Sequence, residues 1–147
     1  MVSKVDRRII ELLQEDARMP ITQIAKEVNM SENGVKYRLD KLEQKGVISR
    51  FSILIDPKKL GKKVMAHFSI EFTPDEMRRN ISLLTRIPEL IKIYHTTGEY
   101  SIMAIGLFDS NEELTKFINN TLLVDFSVQK YAVDVVTKQY KDSIYMI

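Results

Sequence analysis

Apolar residues in the first fifty positions recur every three to four residues, which is the spacing of an amphipathic helix. Ile9 and Leu12 lie on the apolar side of a first predicted helix, and Ser3 with Asp6 has the spacing of an N-cap and its capping acid. Pro20 disfavours helix at the residue before it, so a short second helix should begin there. Its buried side is expected to consist of Ile21, Ile24, Ala25 and Val28.

A sharp turn and a third helix follow. Asn29 tolerates the left-handed backbone conformation that such a turn needs, and Ser31 is a favourable N-cap. The third helix is expected to end at Gly46 as its C-cap. It is expected to bury Val35, Leu39 and Leu42. Three helices with a tight turn before the third resemble a helix-turn-helix, whose recognition helix enters the major groove of DNA.

The segment after Gly46 separates this pattern from the next one. Its apolar residues indicate an extended chain, and a DP turn followed by lysine and glycine residues indicates a joint. We therefore predict a helix-turn-helix domain at 1–50, a linker at 51–63 and a second domain at 64–147.

Strand and helix patterns alternate in the second domain. Positions 64–72 alternate with a period of two, and further strands are expected at 90–97, 100–107 and about 127–137. The order strand, helix, strand, strand, helix, strand predicts a ferredoxin-like βαββαβ domain. The fold class is therefore α+β.

Capping boxes predict where the two helices of this domain begin. Thr73 with Glu76 and Ser110 with Glu113 each have the spacing of an N-cap and its reciprocal partner. The apolar residues that follow the second cap are Leu114, Phe117, Ile118 and Leu122.

One face of the predicted sheet has no helix to cover it. This face is expected to carry Met65, His67, Tyr131, Val133 and Val135. A half-apolar face of this kind usually meets a partner, so we predict a homodimer joined through the sheets. A dimer would also place two recognition helices about 34 Å apart, which matches successive major grooves.

Charge is concentrated in the N-terminal part. The first sixty residues carry twelve basic and nine acidic side chains, a net charge of +3, while the whole chain carries +2. With 44% hydrophobic residues the chain should form packed cores rather than remain disordered. It has no run of about eighteen apolar residues and begins with charged residues, which favours a cytoplasmic protein without a membrane segment.

The exposed side of the third helix is the candidate DNA-reading surface. Asn33 can form two hydrogen bonds with adenine, and Lys36 can reach guanine or phosphate. Gly34 either lets the backbone approach DNA closely or is a glycine that the first turn tolerates. The candidate DNA-binding residues are Ser31, Asn33, Gly34, Lys36, Tyr37, Arg38, Lys41, Lys45 and Arg50.

The sequence offers little for catalysis or metal binding. It contains no cysteine, and His67 and His95 lie far apart without patterned neighbours. The acidic pairs at the helix starts are accounted for by capping and by the helix dipole. We therefore predict no metal site, no cofactor and no catalytic residue, and that the protein is not an enzyme.

Four parts of the sequence carry a resemblance to a known family: the stretch DRRIIELLQEDAR, the stretch QIAKEVNMSENGVKYRLDKLEQKGVISRF, the DP turn and TTGEY. They resemble the Lrp/AsnC family of transcription regulators. The likeness covers nearly the whole chain. It implies an operator-binding repressor or activator that dimerises through its C-terminal domains and often forms tetramers or octamers. It also implies an amino-acid effector beside the turn between strands two and three, here Thr97, Gly98, Glu99, Tyr100 and Ser101.

The chain departs from the family pattern at Ser101, where an aspartate is usual. The missing carboxylate removes a partner for the ammonium group of an effector. In a regular strand Glu99 would point to the opposite face from Tyr100. The departure therefore predicts an altered effector or none.

Two alternative functions fit the same architecture. Siroheme decarboxylases share it, but they would need histidine and arginine in a C-terminal cleft, and the only arginines available there are Arg78, Arg79 and Arg86, on or beside one helix. A purely architectural DNA binder would use the basic residues for phosphates alone. The ratio of operator to random-DNA affinity separates that binder from a regulator.

Overall fold

The computed structural model describes residues 2–141, and these form two units, each with its own hydrophobic core. The first unit comprises residues 2–54 with Lys141, and the second comprises residues 55–140, so the chain passes from one to the other between Leu54 and Ile55. This division lies inside the predicted linker 51–63. Residue 1 and residues 142–147, which the predicted domains 1–50 and 64–147 include, lie outside the described residues.

Three helices form the N-terminal unit: α1 Lys4–Glu15, α2 Ile21–Glu27 and α3 Glu32–Gln44. The predicted capping box of α1 is present, because the amide of Asp6 donates to Ser3 Oγ at 3.1 Å and the amide of Ser3 donates to Asp6 Oδ2 at 2.9 Å. Between α2 and α3, Asn29 adopts a φ of 52°, as the turn requires. The buried core consists of Ile9, Leu12, Ile24, Ala25 and Val35.

Helix α3 ends slightly before the predicted C-cap. Lys45 is the C-cap, and Gly46 follows it with a φ of 68°. The amide of Gly46 donates to the carbonyl of Glu43 and the amide of Val47 donates to that of Leu42, both at 2.9 Å. These two bonds form a Schellman motif, in which Gly46 supplies the left-handed residue that ends the helix.

The second unit begins with a short 3-10 helix, Pro57–Leu60. Its other elements are β1 Val64–Ile70, α4 Pro74–Leu84, β2 Leu90–His95, β3 Ile102–Phe108, α5 Asn111–Lys116, a π-helix Phe117–Asp125 and β4 Tyr131–Val135. The strands are antiparallel in the order β2-β3-β1-β4. This is the predicted ferredoxin-like arrangement, and the fold class is α+β.

Helices α4 and α5 bury their apolar residues against one face of the sheet, the covered face. Three rings meet there, with centroids 5.9 Å apart for Phe68 and Phe108, 5.4 Å for Phe68 and Phe117, and 5.2 Å for Phe108 and Phe117. A Cβ on Gly106 would lie 2.8 Å from the Phe108 ring. The glycine in β3 is therefore required by the packing of the rings.

The second face of the sheet, called the open face, carries Met65, His67, Ser69, Met103, Ile105 and Leu107, which are half-buried or exposed. The prediction that it also carries Tyr131, Val133 and Val135 is wrong. In the register of β1 and β4, Phe68 lies opposite Val133, so these three residues share the covered face. Ala132 and Asp134 are the β4 residues on the open face, because successive strand residues alternate between faces.

The last helical segment is not one regular helix. After α5 the chain widens into the π-helix, where the amide of Phe126 donates to the carbonyl of Thr121 at 3.0 Å. The buried residues Phe117 and Leu122 are five positions apart. Bonding between residues i and i+5 places such a pair on one face, which explains the wider turn here.

Capping differs between the two helices of this unit. At α4 the predicted box is complete, with the amide of Thr73 donating to Glu76 Oε2 at 2.8 Å and the amide of Glu76 donating to Thr73 Oγ1 at 3.3 Å. At α5 the amide of Glu113 donates to Ser110 Oγ at 3.2 Å, but the Glu113 carboxylate accepts from Lys116 Nζ at 2.8 Å instead of closing the box. The reciprocal half of the predicted box at α5 is therefore wrong.

Candidate nucleic-acid interface and ligand site

The start of α3 is fixed by a single cap. The Oγ of Ser31 accepts the amide of Gly34 at 3.1 Å, which satisfies one of the free donors of the first turn. Asn33 follows with its side chain exposed. The Ser31 hydroxyl thus positions the N-terminal turn of α3, and its acceptor capacity is partly used by that turn.

The exposed side of α3 is polar and lies opposite the residues that anchor the helix. Val35 and Leu42 are buried, whereas Asn33, Lys36 and Tyr37 are exposed, with 63% of Tyr37 accessible. An amide, an ammonium and a phenol on one exposed side can donate and accept hydrogen bonds at base edges and phosphates. This side of α3 has the chemistry of a groove-reading surface.

Lys41, Lys45 and Arg50 extend the positive charge toward and beyond the end of α3, and all three are exposed. Lys41 Nζ donates to Gln44 Oε1 at 3.1 Å and lies 5.7 Å from the centre of the Tyr37 ring. These contacts are made at the surface, so the ammonium remains available to an external anion.

Arg38 is placed differently from the other basic residues of α3. Its Nη1 donates to Asp6 Oδ1 at 2.8 Å and to Ser3 Oγ at 3.2 Å, so it joins α3 to the capping box of α1. Partial burial acts to raise the pKa of Asp6, but the hydrogen bonds from Ser3 and Arg38 hold that pKa below its ordinary value. The Arg38 guanidinium therefore forms an ion pair with Asp6 within the N-terminal unit.

Gly34 has a local reason to be glycine. A Cβ at this position would lie 2.9 Å from Met30 Cε and 3.2 Å from Ser31 Oγ. The methionine side chain therefore occupies the space beside the helix start. Because its terminal methyl is flexible, a substitution would shift it rather than break the turn.

The turn between β2 and β3, which contains the predicted ligand residues, is longer than a tight hairpin turn. Strand β2 ends at His95 and β3 begins at Ile102, so Thr97, Gly98, Glu99 and Tyr100 lie in the turn rather than in a strand. Glu99 and Tyr100 are therefore outside the regular strand that would turn them to opposite faces. Lys130 Nζ lies 3.0 Å from Glu99 Oε1 and 4.9 Å from the centre of the Tyr100 ring, so both contact the same ammonium.

Ser101 forms hydrogen bonds with the two residues that follow β1. The amide of Phe72 donates to Ser101 Oγ at 2.8 Å, and the amide of Ser101 donates to Glu71 Oε2 at 2.9 Å. The Glu71 carboxylate therefore lies beside position 101. It belongs to the residue that follows β1 and not to position 101 itself.

Sequence reasoning missed two residues at this turn, Glu71 and Lys130. Each lies one position outside a strand, Glu71 after β1 and Lys130 before β4. The predicted ferredoxin-like arrangement has β1 paired with both β3 and β4, so the fold prediction carried a usable signal.

The two histidines do not converge. His67 lies opposite Ile105 and Asp134 on the open face, whereas His95 lies opposite Ile102 on the covered face. Within residues 2–141, no group of three or more histidine, cysteine or acidic side chains is arranged to hold a metal ion. The described part of the chain also has no helix long and apolar enough to cross a membrane.

Two family models match the sequence. Residues 2–49 match a winged helix-turn-helix DNA-binding model, and residues 65–146 match the Lrp/AsnC ligand binding domain. An HTH-type transcriptional regulator of Methanocaldococcus jannaschii is 30% identical over 142 residues, which cover 97% of this chain and 96% of the relative. The HTH-type transcriptional regulator LrpA of Pyrococcus horikoshii is 33% identical over 122 residues, covering 83% of this chain and 86% of the relative.

Solved structures share the fold. AsnC of Escherichia coli superposes with a TM-score of 0.94 at 24% identity and covers 100% of this chain and 99% of its own. The regulator NMB0573 of Neisseria meningitidis, solved as a complex with L-Met, gives a TM-score of 0.90 at 23% identity and covers 97% of this chain and 94% of its own.

Proposed function

The chain belongs to the Lrp/AsnC family of DNA-binding transcriptional regulators, and from this premise we propose that α3 reads an operator in the major groove of DNA. The observation that carries the proposal is the exposure of Asn33 and Lys36 on the side of α3 away from buried Val35. A helix held in this way can enter the groove without losing its contacts with α1 and α2.

We assign separate roles to the candidate residues. Asn33 and Lys36 read base edges, and Tyr37 contacts the groove wall beside them. Lys41, Lys45 and Arg50 bind phosphates and set the position of the helix on the duplex. Ser31, Gly34 and Arg38 act indirectly, because their described contacts shape the start of α3 and brace it on α1.

Fluorescence anisotropy tests these roles with a duplex enriched from genomic fragments and a scrambled duplex at the same salt concentration. Asn33→Ala and Lys36→Ala should each reduce the preference for the enriched duplex by about 1–3 kcal/mol, as expected for loss of a base contact. Lys63→Ala is the charge-matched control, since Lys63 is exposed and lies in the second unit. Wild-type preference in both α3 variants would reject α3 as the reading helix.

We propose that the open face joins two copies of the chain. Its apolar residues include Met65, Met103, Ile105 and Leu107, and a four-stranded face of this composition is favourably removed from water by an identical face. A symmetric dimer also suits an operator with two half-sites. Assembly into tetramers or octamers stays a prediction.

A free amino acid is the proposed modulator, bound beside the turn 97–101. The support is the match of residues 65–146 to a ligand binding domain and the L-Met complex of a protein with the same fold. We further propose that the protein acts in the cytoplasm and without catalysis, since its relatives are named as transcriptional regulators. The siroheme decarboxylase alternative is disfavoured, because His67 and His95 lie on opposite faces of the sheet and do not meet in one cleft.

A further inference from the structure

The end of the sheet beside the turn 97–101 carries opposite charges on neighbouring strands. The amide of Glu71 donates to the carbonyl of Lys130 at 3.0 Å, which continues the β1–β4 pairing by one residue. Strand alternation puts both side chains on the side of the open face, since the preceding pair, Ile70 and Tyr131, lies on the covered face. A carboxylate and an ammonium therefore extend from adjacent strands, which lie roughly 4.8 Å apart.

The Glu71 carboxylate is held in place yet keeps binding capacity. Its Oε2 accepts the amide of Ser101 at 2.9 Å, and the residue is half-buried. This bond uses Oε2, so Oε1 is a second acceptor atom on the same carboxylate. An ionised carboxylate has about four lone-pair sites, so Glu71 can accept a further donor without giving up Ser101.

Lys130 is restrained by contacts that are easily exchanged. Its Nζ pairs with Glu99, and the two side chains are 51% and 72% exposed. The hydrogen bond to Glu99 raises the pKa of Lys130, with smaller contributions from neighbouring charges that include Glu71. An exposed pair of this kind adds little stability, so an incoming carboxylate can replace Glu99.

Resting on the proposed function, we propose that Glu71 and Lys130 bind the ammonium and the carboxylate, respectively, of a free α-amino acid. Glu71 supplies from β1 the negative charge that Ser101 does not supply from β3. Lys130 moves from Glu99 to the carboxylate of the ligand, which uncovers the Tyr100 ring. The site therefore requires both charged ends of the amino acid.

The test pairs variants of the full-length protein with derivatives that lack one charge. Each of the twenty standard L-amino acids is titrated into the wild type by calorimetry, followed by the carboxamide and the N-acetyl derivative of the tightest binder. Both derivatives should bind the wild type about tenfold or more weakly, as expected for loss of a charged hydrogen bond.

The variants separate the two ends. Lys130→Met should weaken binding of the amino acid by about tenfold or more and weaken binding of the carboxamide much less, because an uncharged amide oxygen gains less from the Lys130 ammonium than a carboxylate does. Glu71→Gln should likewise weaken binding of the amino acid by about tenfold or more and weaken binding of the N-acetyl derivative much less, because the acetylated nitrogen carries no charge. The controls are Lys116→Met and Glu113→Gln, which alter another lysine–glutamate pair at the surface, on α5.

Each outcome decides a different claim. Amino-acid binding that survives both Glu71→Gln and Lys130→Met would overturn the assignment of the charged pair and leave amino-acid modulation standing. Binding of none of the twenty amino acids to the wild type would overturn both. The role of α3 in DNA binding is measured separately by anisotropy and stands or falls on its own.

Discussion

Arg38 should act on the stability of the N-terminal unit rather than on DNA directly. Its guanidinium bonds Asp6 at 2.8 Å, and Asp6 also closes the capping box of α1. Replacing Arg38 with methionine removes this bond while keeping an unbranched apolar stem and a good helix former. The perturbation therefore isolates the contact between α1 and α3.

The magnitude follows from the burial of the pair. A hydrogen bond to a charged group contributes about 1.5–3 kcal/mol, whereas exposed ion pairs contribute about 0.2–1 kcal/mol. With side chains 33% exposed for Arg38 and 15% for Asp6, the pair lies between these limits. We expect Arg38→Met to lower the local free energy of opening by about 1 kcal/mol, which is roughly a fivefold change in the equilibrium.

Hydrogen exchange measured by NMR resolves this effect residue by residue. Amides of α1 and α3 should exchange about fivefold faster in Arg38→Met, and amides of β1 should not change. Asp6→Asn should have at least as large an effect, and the double variant should lose less than the sum of the two single losses, since both remove the same contact. Lys41→Met is the matched control, because the contacts of Lys41 with Gln44 and the Tyr37 ring are made at the surface of α3 itself.

The result that would refute this reasoning is specific. If Arg38→Met leaves exchange in α1 and α3 unchanged and yet weakens DNA binding as Lys41→Met does, Arg38 is a DNA contact. The bond to Asp6 would then be a resting position of the free protein.

Three other predictions concern the core, the dimer and pH. Val35→Ala, at a fully buried position, should lower the stability of the N-terminal unit by about 2 kcal/mol through lost burial and a cavity, and unchanged exchange in α3 would show that Val35 is not an anchor. Met103→Glu should shift sedimentation equilibrium from dimer to monomer, because it places a charge on the open face; a persistent dimer would put the interface elsewhere. The stabilisation from Asp6 should be complete above the ordinary carboxyl pKa of about 3.9 and should be lost as the pH falls through the lowered pKa of Asp6 in the folded protein. The protection of the α1 amides against hydrogen exchange should therefore fall at low pH, and Asp6→Asn should reduce this pH dependence.

Features set by near neighbours in sequence could be predicted. The caps formed by Ser31 and by Thr73 with Glu76 each depend on residues three positions apart, and both form as expected. The left-handed conformation of Asn29 is likewise a local property. Together with hydrophobic periodicity, these signals predict the five α-helices and the four strands, but not the 3-10 helix or the π-helix.

Features set by contacts between distant residues could not be predicted in the same way. Periodicity divides β4 into two faces but does not say which face meets the helices, and the pairing of Val133 with Phe68 decides it. Arg38 has the same local pattern as the other basic residues of α3, and only its meeting with Asp6 distinguishes it. The late start of β3 likewise turns Glu99 toward Lys130.

The most direct test of the central claim is to select DNA fragments of the source genome with the purified full-length protein and to sequence them. The account predicts enrichment of a two-fold symmetric site with half-sites about one helical turn apart, and loss of that enrichment with Asn33→Ala or Lys36→Ala. Recovery of fragments in proportion to their abundance would contradict sequence-specific regulation and indicate binding through phosphates alone.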